Sequence, residues 1–294
     1  MRGKIVGKRR KPLQAAEFVI YLFMGLFALV TIYPFWYTVV GSFSDGMDYQ
    51  GGGVWLFPRI FTTANYSVVF ADARLWTAFG TTILRTLAGT FLSLVVTSCT
   101  AYGMSRPNLK FRRVLQWLNM FTMFFSGGLI PYVLIINMLG LYNSFWVYVI
   151  PSAYSVYNMI IIQNFFKGIP TELHEAAVLD GASEFRIWWN LFIPLSGSVL
   201  ATVALWCAVG HWNNYMQTML YTNNPKLITL QYYLMLLIKE ANVEFGELGD
   251  NITSQVTART VSFAAIVVAS LPILCVYPFV LKHFAGSVMI GSLK

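Results

Sequence analysis

The sequence predicts an all-α integral membrane protein with six transmembrane helices and both termini on the cytoplasmic side. Three observations carry that prediction. Of the 294 residues, 57% are hydrophobic and only 11% charged, whereas soluble domains run to about a quarter charged. Apolar runs fall near 18–40, 76–102, 114–138, 144–166, 197–220 and 260–281, each close to the roughly 20 residues a helix needs to cross about 30 Å of hydrocarbon. The basic residues, finally, concentrate in alternate connections.

The first run follows a segment holding Arg2, Lys4, Lys8, Arg9, Arg10 and Lys11. Such a start resembles a secretion signal, but the run from Phe18 to Val40 is too long and no small-residue cleavage pattern follows it. An uncleaved first span with its N-terminus inside is the expectation. The cytoplasmic pieces are then 1–17, 103–113, 167–196 and the tail from Lys282, and they hold fourteen of the twenty basic residues. Retention of short basic loops on the cytoplasmic side gives the orientation. Arg106, Lys110, Arg112 and Arg113 are read as this topogenic signal. Segments 41–75 and 221–259 become the extracellular loops, the second carrying Glu240, Glu244, Glu247 and Asp250 as a solvated acidic face. With no internal repeat and no low-complexity linker, residues 1–294 read as one membrane domain.

Several function classes are excluded. The formal charge of +8 is explained by topology, so nucleic-acid binding is a poor reading. Cys99, Cys207 and Cys275 are far apart in apolar runs, where sulfur acts as a small hydrophobe, and form no metal or disulfide pattern. No Gly-rich loop ending in Lys-Ser/Thr occurs, so ATP is not hydrolysed by this chain alone. A membrane enzyme would have to use Glu172, His174, Glu175 and Asp180, which lack the i, i+4 histidine pair of a helical metal site and any nucleophile with an adjacent base. An ion-coupled secondary transporter of small polar solutes is the alternative. It normally needs carboxylates within the membrane, and all twelve acidic residues here lie outside the spans or at their edges.

Within 167–196, the cytoplasmic loop before the fifth span, the residues read as folded. Pro170-Thr171 opens a predicted helix over about 171–180, with Thr171 as cap and His174 where a capping box would place Glu or Gln. Glu172 and Glu175 complement the positive helix end, and Gly181 is a natural stop. A short helix exposed between two spans suits a mechanical role, because it can seat in a soluble partner and pass motion to the spans on either side.

Glu175-Ala176-Ala177, Asp180-Gly181-Ala182 and Ile193-Pro194-Leu195 together resemble the EAA signature of importer-type ABC permeases. Phe125-Ser-Gly-Gly-Leu-Ile-Pro131, Gly210-His-Trp-Asn213, Tyr277-Pro-Phe and Gly286-Ser-Val-Met-Ile-Gly291 extend the resemblance to the maltose-type, multiple-sugar permeases, in particular the lipoprotein-associated oligosaccharide group of Gram-positive bacteria. It covers nearly the whole chain. The resemblance implies a type I ABC importer permease in the bacterial cell membrane. The partners it implies are a homologous second permease, two ATPase subunits that bind ATP and Mg, and an extracellular solute-binding lipoprotein that delivers a sugar or oligosaccharide. Glu175, Ala176, Ala177, Asp180, Gly181 and Pro194 then form the ATPase-coupling segment. No catalytic or metal-ligating residue is expected.

A pathway for sugar needs amides for hydroxyl edges and rings for apolar faces, at spans whose backbone is interrupted. Gly127, Gly128 and Pro131 interrupt the third span. At about 1.5 Å per residue Gly127 lies roughly 20 Å deep, and His211, Trp212, Asn213 and Asn214 of the fifth span and Tyr157 and Asn158 of the fourth fall near the same level. Packing across spans accounts for the same residues equally well. Arg85, about nine residues from the outer end of its span, is expected to snorkel; the sharper alternative is that it offers charge to an acidic sugar.

Overall fold

The computed structural model describes residues 15–247 and 256–291, with side chains placed over 17–241 and 256–275. The basic N-terminal residues 1–14 and Asp250 lie outside the described residues, as do the side chains of Glu244, Glu247, Tyr277 and the 286–291 motif.

Among the described residues fourteen α-helical pieces follow one another: α1 Ala15–Ser42, α2 Gly46–Gln50, α3 Ala64–Ala71, α4 Ala73–Ser105, α5 Arg112–Phe124, α6 Leu129–Met138, α7 Val156–Lys167, α8 Thr171–Leu179, α9 Glu184–Ile187, α10 Ile193–Leu195, α11 Gly197–Asn213, α12 Met216–Tyr221, α13 Leu230–Glu247 and α14 Ala258–Gly291. Among the described residues the only β pairing is an isolated bridge between Ser44 and Phe61. The described residues 17–42 of α1, α4, and the part of α14 up to Cys275 are each long and apolar enough to cross a membrane. Two bent pairs, α5 with α6 at 114° and Glu184–Leu195 with α11 at 87°, bring the candidate spans to five if each counts once.

Helix α1 turns most of its side chains outward, from Phe18 to Phe35, which suits hydrocarbon. Helix α4 is the central post and packs against α7, α11, α13 and the 3-10 turn Pro225–Leu227. Its N-terminus is capped by Asp72, whose carboxylate accepts from the Arg74 backbone N–H at 2.8 Å. Burial alone would raise the Asp72 carboxyl; hydrogen bonds from Arg74 and Tyr233 outweigh it and hold the group below the usual range. The cap is therefore fully present above the ordinary carboxylate value and is lost only as pH falls through the lowered one. At the same end of α4, buried Asn65 ties three helices together. Its amide donates to the Ser42 and Ser44 carbonyls at 3.0 and 2.9 Å and its oxygen accepts from Thr260 at 2.8 Å.

Three expectations need correction. The run 144–166 is not one helix: a 3-10 turn at Phe145–Tyr148 and non-helical residues 149–155 precede α7. Pro151 lacks the N–H a helix needs, and Ser155 starts α7 afresh by accepting from the Asn158 N–H at 3.3 Å. The fifth run breaks after Asn213 and resumes as α12. The segment 221–259 is no plain loop, since it carries the 18-residue helix α13, whose buried Leu230, Tyr233 and Leu234 pack with Leu75, Ala264 and Ala265. Charged residues along its later turns hid that helix from a search for long apolar runs.

Candidate functional site

Two features stand out, one around α8 and one among the longer helices. Helix α8 occupies the residues expected of a coupling helix, with no fully buried residue. Its start differs from expectation. Pro170 stands at the N-cap with no side-chain hydrogen bond; Thr171 is already helical, so no capping box forms and His174 is free to turn elsewhere. The end agrees: Gly181 takes φ +78°, a conformation costly for any residue with a Cβ, while its N–H and that of Ala182 close the helix on Val178 and Ala177 at 3.0 Å each.

Ala177 and Ala182 pack on the inner core around Ile162, Phe166 and Trp188, whereas Glu175, Ala176, Asp180 and Pro194 are exposed. Leu179 is 88% exposed, and Leu173 and Val178 are also open. Bare apolar side chains gathered on one exposed helix mark a candidate interaction surface. Pro194 lies just beyond a π-helical stretch, Trp188–Phe192, where the Ile193 N–H reaches the Trp188 carbonyl. A proline ring collides with the carbonyl four residues back, and the wider π turn accommodates it.

Helix α9 is fastened on both sides. Glu184 accepts from the Tyr102 hydroxyl at the end of α4, and the same carboxylate oxygen stands 3.3 Å from His174 Nε2 on α8. Burial pushes the Glu184 carboxyl up, but Tyr102 and His174 together hold it below its usual value. The contact is thus complete above the ordinary carboxylate value and fails only as pH drops through the lowered one.

The second feature is a cavity of about 240 Å³ lined by Arg85, Ser93, Ser152, Ser155, Asn158, Cys207, Gly210, His211, Asn214 and Gln217. Arg85 is 0% exposed and does not snorkel. Its Nη1 donates to the Asn214 carbonyl at 3.0 Å, its Nη2 to the Gln217 side-chain oxygen, and its guanidinium lies 4.6 Å over the Tyr148 ring. Asn214 ends α11, where carbonyls lack helical partners, so the break itself supplies the acceptor that draws arginine inward. The Tyr148 hydroxyl is anchored in turn by Thr218 at 3.1 Å and the Leu227 carbonyl at 2.7 Å. Asn158 donates to Cys207 Sγ at 3.5 Å, and Ser93 lies equally close to that sulfur.

Of the expected pathway residues, Arg85, Asn158, His211 and Asn214 converge on this cavity. Trp212 and Asn213 line a separate apolar hollow between α4, α11 and α14, of about 480 Å³. Tyr157 is exposed and tilts against Trp206 at 6.1 Å. Gly127 and Gly128 lie exposed in the link between α5 and α6. Sequence reasoning missed Ser93, Ser152, Ser155, Cys207 and Gln217 as lining residues. A signal was present on α4: Arg85, Gly89, Ser93 and Thr97 recur every four residues and are all buried, a polar and small stripe along one helix face.

Apolar helices thus stand around a polar cavity, with the exposed helix α8 projecting between α7 and the bent pair that ends in α11. The chain belongs to the family described as the binding-protein-dependent transport system inner membrane component, which matches residues 3–289. Protein LplC of Bacillus subtilis strain 168 is 38% identical over 275 residues, covering 93% of this chain and 92% of that one. The polygalacturonan/rhamnogalacturonan transport system permease protein YtcP of the same strain is 35% identical, covering 95% and 98%. A crystal structure of a bacterial ABC transporter involved in importing the acidic polysaccharide alginate contains a chain similar to this one. The match has a TM-score of 0.85 and 32% identity, over 95% of this chain and all of that one.

Proposed function

We propose that this chain forms half of the translocation pathway of an ATP-binding-cassette importer for a sugar or oligosaccharide. It crosses the bacterial cytoplasmic membrane six times with both termini inside, α7 and its preceding turns making the fourth span. A homologous second permease completes the pathway, two ATPase subunits bind ATP and Mg, and an extracellular binding lipoprotein delivers the cargo. Glu175, Ala176, Ala177, Asp180 and Gly181 on and just after α8, with Pro194, form the segment that seats on an ATPase. ATP-driven closure moves α8, and the spans rock between outward and inward openings. The observation that supports this reading is α8 itself, an exposed helix between α7 and the bent pair that ends in α11, with Leu173, Val178 and Leu179 bare. Relatives that handle polygalacturonan and alginate support a carbohydrate cargo.

The test is to tag the chain in its native membrane, solubilise it mildly and identify what co-purifies. A second permease and an ATPase are expected, with Gly181→Asp losing the ATPase while membrane insertion persists. Glu175→Ala should likewise abolish ATP-dependent uptake of trigalacturonate or maltotriose. Recovery of the chain alone, with uptake collapsing with the ion gradient and not with ATP, would overturn the reading.

A further inference from the structure

We propose that Glu184 is a positioning residue, the joint through which displacement of α8 is delivered to the cytoplasmic end of α4. The inference rests on the coupling role proposed above for α8 and extends it to residues outside the Glu-Ala-Ala, Asp-Gly-Ala and Pro194 segments.

Helix α8 has no fully buried side chain, and among the described residues it packs on the core through Ala177 and its flanking residues Ile169 and Ala182. Apolar contacts of that kind permit sliding. A directional link is needed if a push on α8 is to move a particular span, and His174 supplies the described one, reaching Glu184 Oε2 at 3.3 Å. The Tyr102 hydroxyl donates to that same oxygen from α4. One carboxylate oxygen, carried on α9 just past the loop 180–183, therefore joins α8 to α4.

The receiving end is built to be stiff. The Tyr102 ring sits edge-on against Phe192 at 4.9 Å and Phe166 at 6.4 Å. Arg106, the other charge facing Glu184, lies over the Tyr102 and Phe192 rings at 4.9 and 4.6 Å. Glu184 itself opens a short helix whose cap, Ser183 Oγ, accepts from the Arg186 N–H. The Glu184 side chain is 63% exposed and His174 only 19%, so the joint adds little to folding stability. What it fixes is register between α8 and α4. Helix α4 then carries the displacement onward, since Arg85 in the cavity wall lies seventeen residues from Tyr102 on the same helix, roughly 26 Å along its axis.

A link in series makes a specific demand: cutting either bond breaks it, and cutting both does no further harm. Tyr102→Phe removes the hydroxyl and keeps the ring. His174→Ala removes the imidazole and suits a helix. The measurement is amide hydrogen exchange of peptides covering 99–106 and 171–179 in the assembled transporter, with and without MgATP. In the wild type both segments are expected to respond. In each single variant and in the double, the response at 171–179 should stay within twofold, while that at 99–106 should fall at least threefold and equally in all three. An undiminished response at 99–106 in both single variants would overturn the joint alone. Additive losses, or loss of the ATPase from the complex, would also overturn it, by showing a packing or docking role. Absence of any response at 171–179 in the wild type would remove the coupling reading of α8, and the joint with it.

Discussion

Arg85→Leu is expected to lower the thermal midpoint of the solubilised protein by many degrees and to abolish transport. The guanidinium makes two charge-assisted hydrogen bonds, to Asn214 and Gln217, of a kind worth about 1.5–3 kcal/mol each. Its contact with the Tyr148 ring adds a cation–π term of up to about 2 kcal/mol in a desolvated setting. Leucine fills much of the volume but leaves the Asn214 carbonyl bare at the end of α11. The break between α11 and α12 would then lose what fixes its angle. Arg85→Lys should recover only part of the loss, because an ammonium is a point charge and cannot span both acceptors as the planar fork does. Melting followed by size-exclusion chromatography checks this, and a wild-type midpoint for Arg85→Leu would refute it.

Gly89→Ala is expected to be destabilising as well, by less and for a steric reason. A Cβ at position 89 would stand 2.3 Å from Nε2 and 2.4 Å from Cε1 of His211, distances no packed atoms adopt. His211 is itself only 6% exposed, so the ring cannot swing into solvent; α4 and α11 must separate or the imidazole must enter the cavity. Overpacking of this sort costs about 1–3 kcal/mol. The decisive comparison is the double variant Gly89→Ala/His211→Ala, which frees the space and should regain most of the stability lost by Gly89→Ala alone. If the double variant is no more stable than the single, steric conflict with His211 is not the cause.

Much of the fold was legible in the sequence because lipid imposes a simple rule: a span must be long, apolar and helical. That rule found the positions of α1, α4 and α14 and the interruption of the third run. It failed where charged residues also lie in helix, as in α13 with its Lys239 and Glu240. Failure came also where an apolar run hides a proline break, as at Pro151. The helix α8 was legible from its local punctuation, Pro170 before and Gly181 after, although the cap fell one residue earlier than Thr171. The cavity was half legible. Depth counting brought Asn158, His211 and Asn214 to one level, but depth says nothing of rotation about the helix axis, so Trp212 and Asn213 were grouped with neighbours that face another way. Arg85 was misjudged because snorkelling was weighed without the free carbonyl that a broken α11 provides. The Glu184 joint spans 82 residues from Tyr102, and no local pattern announces a contact of that range.

The link between α5 and α6 has a biogenic consequence. Helix α6 begins at Leu129 without a side-chain cap, and residues 121–130 around the 114° bend are all exposed. Bare backbone at membrane depth is tolerated only against other protein or water. On the proposed pairing with a second permease, a newly inserted copy of this chain is unfinished until that partner covers the corner. Unpaired copies should be short-lived in the cell, so that the abundance of this subunit is set by the synthesis of its neighbour as much as by its own.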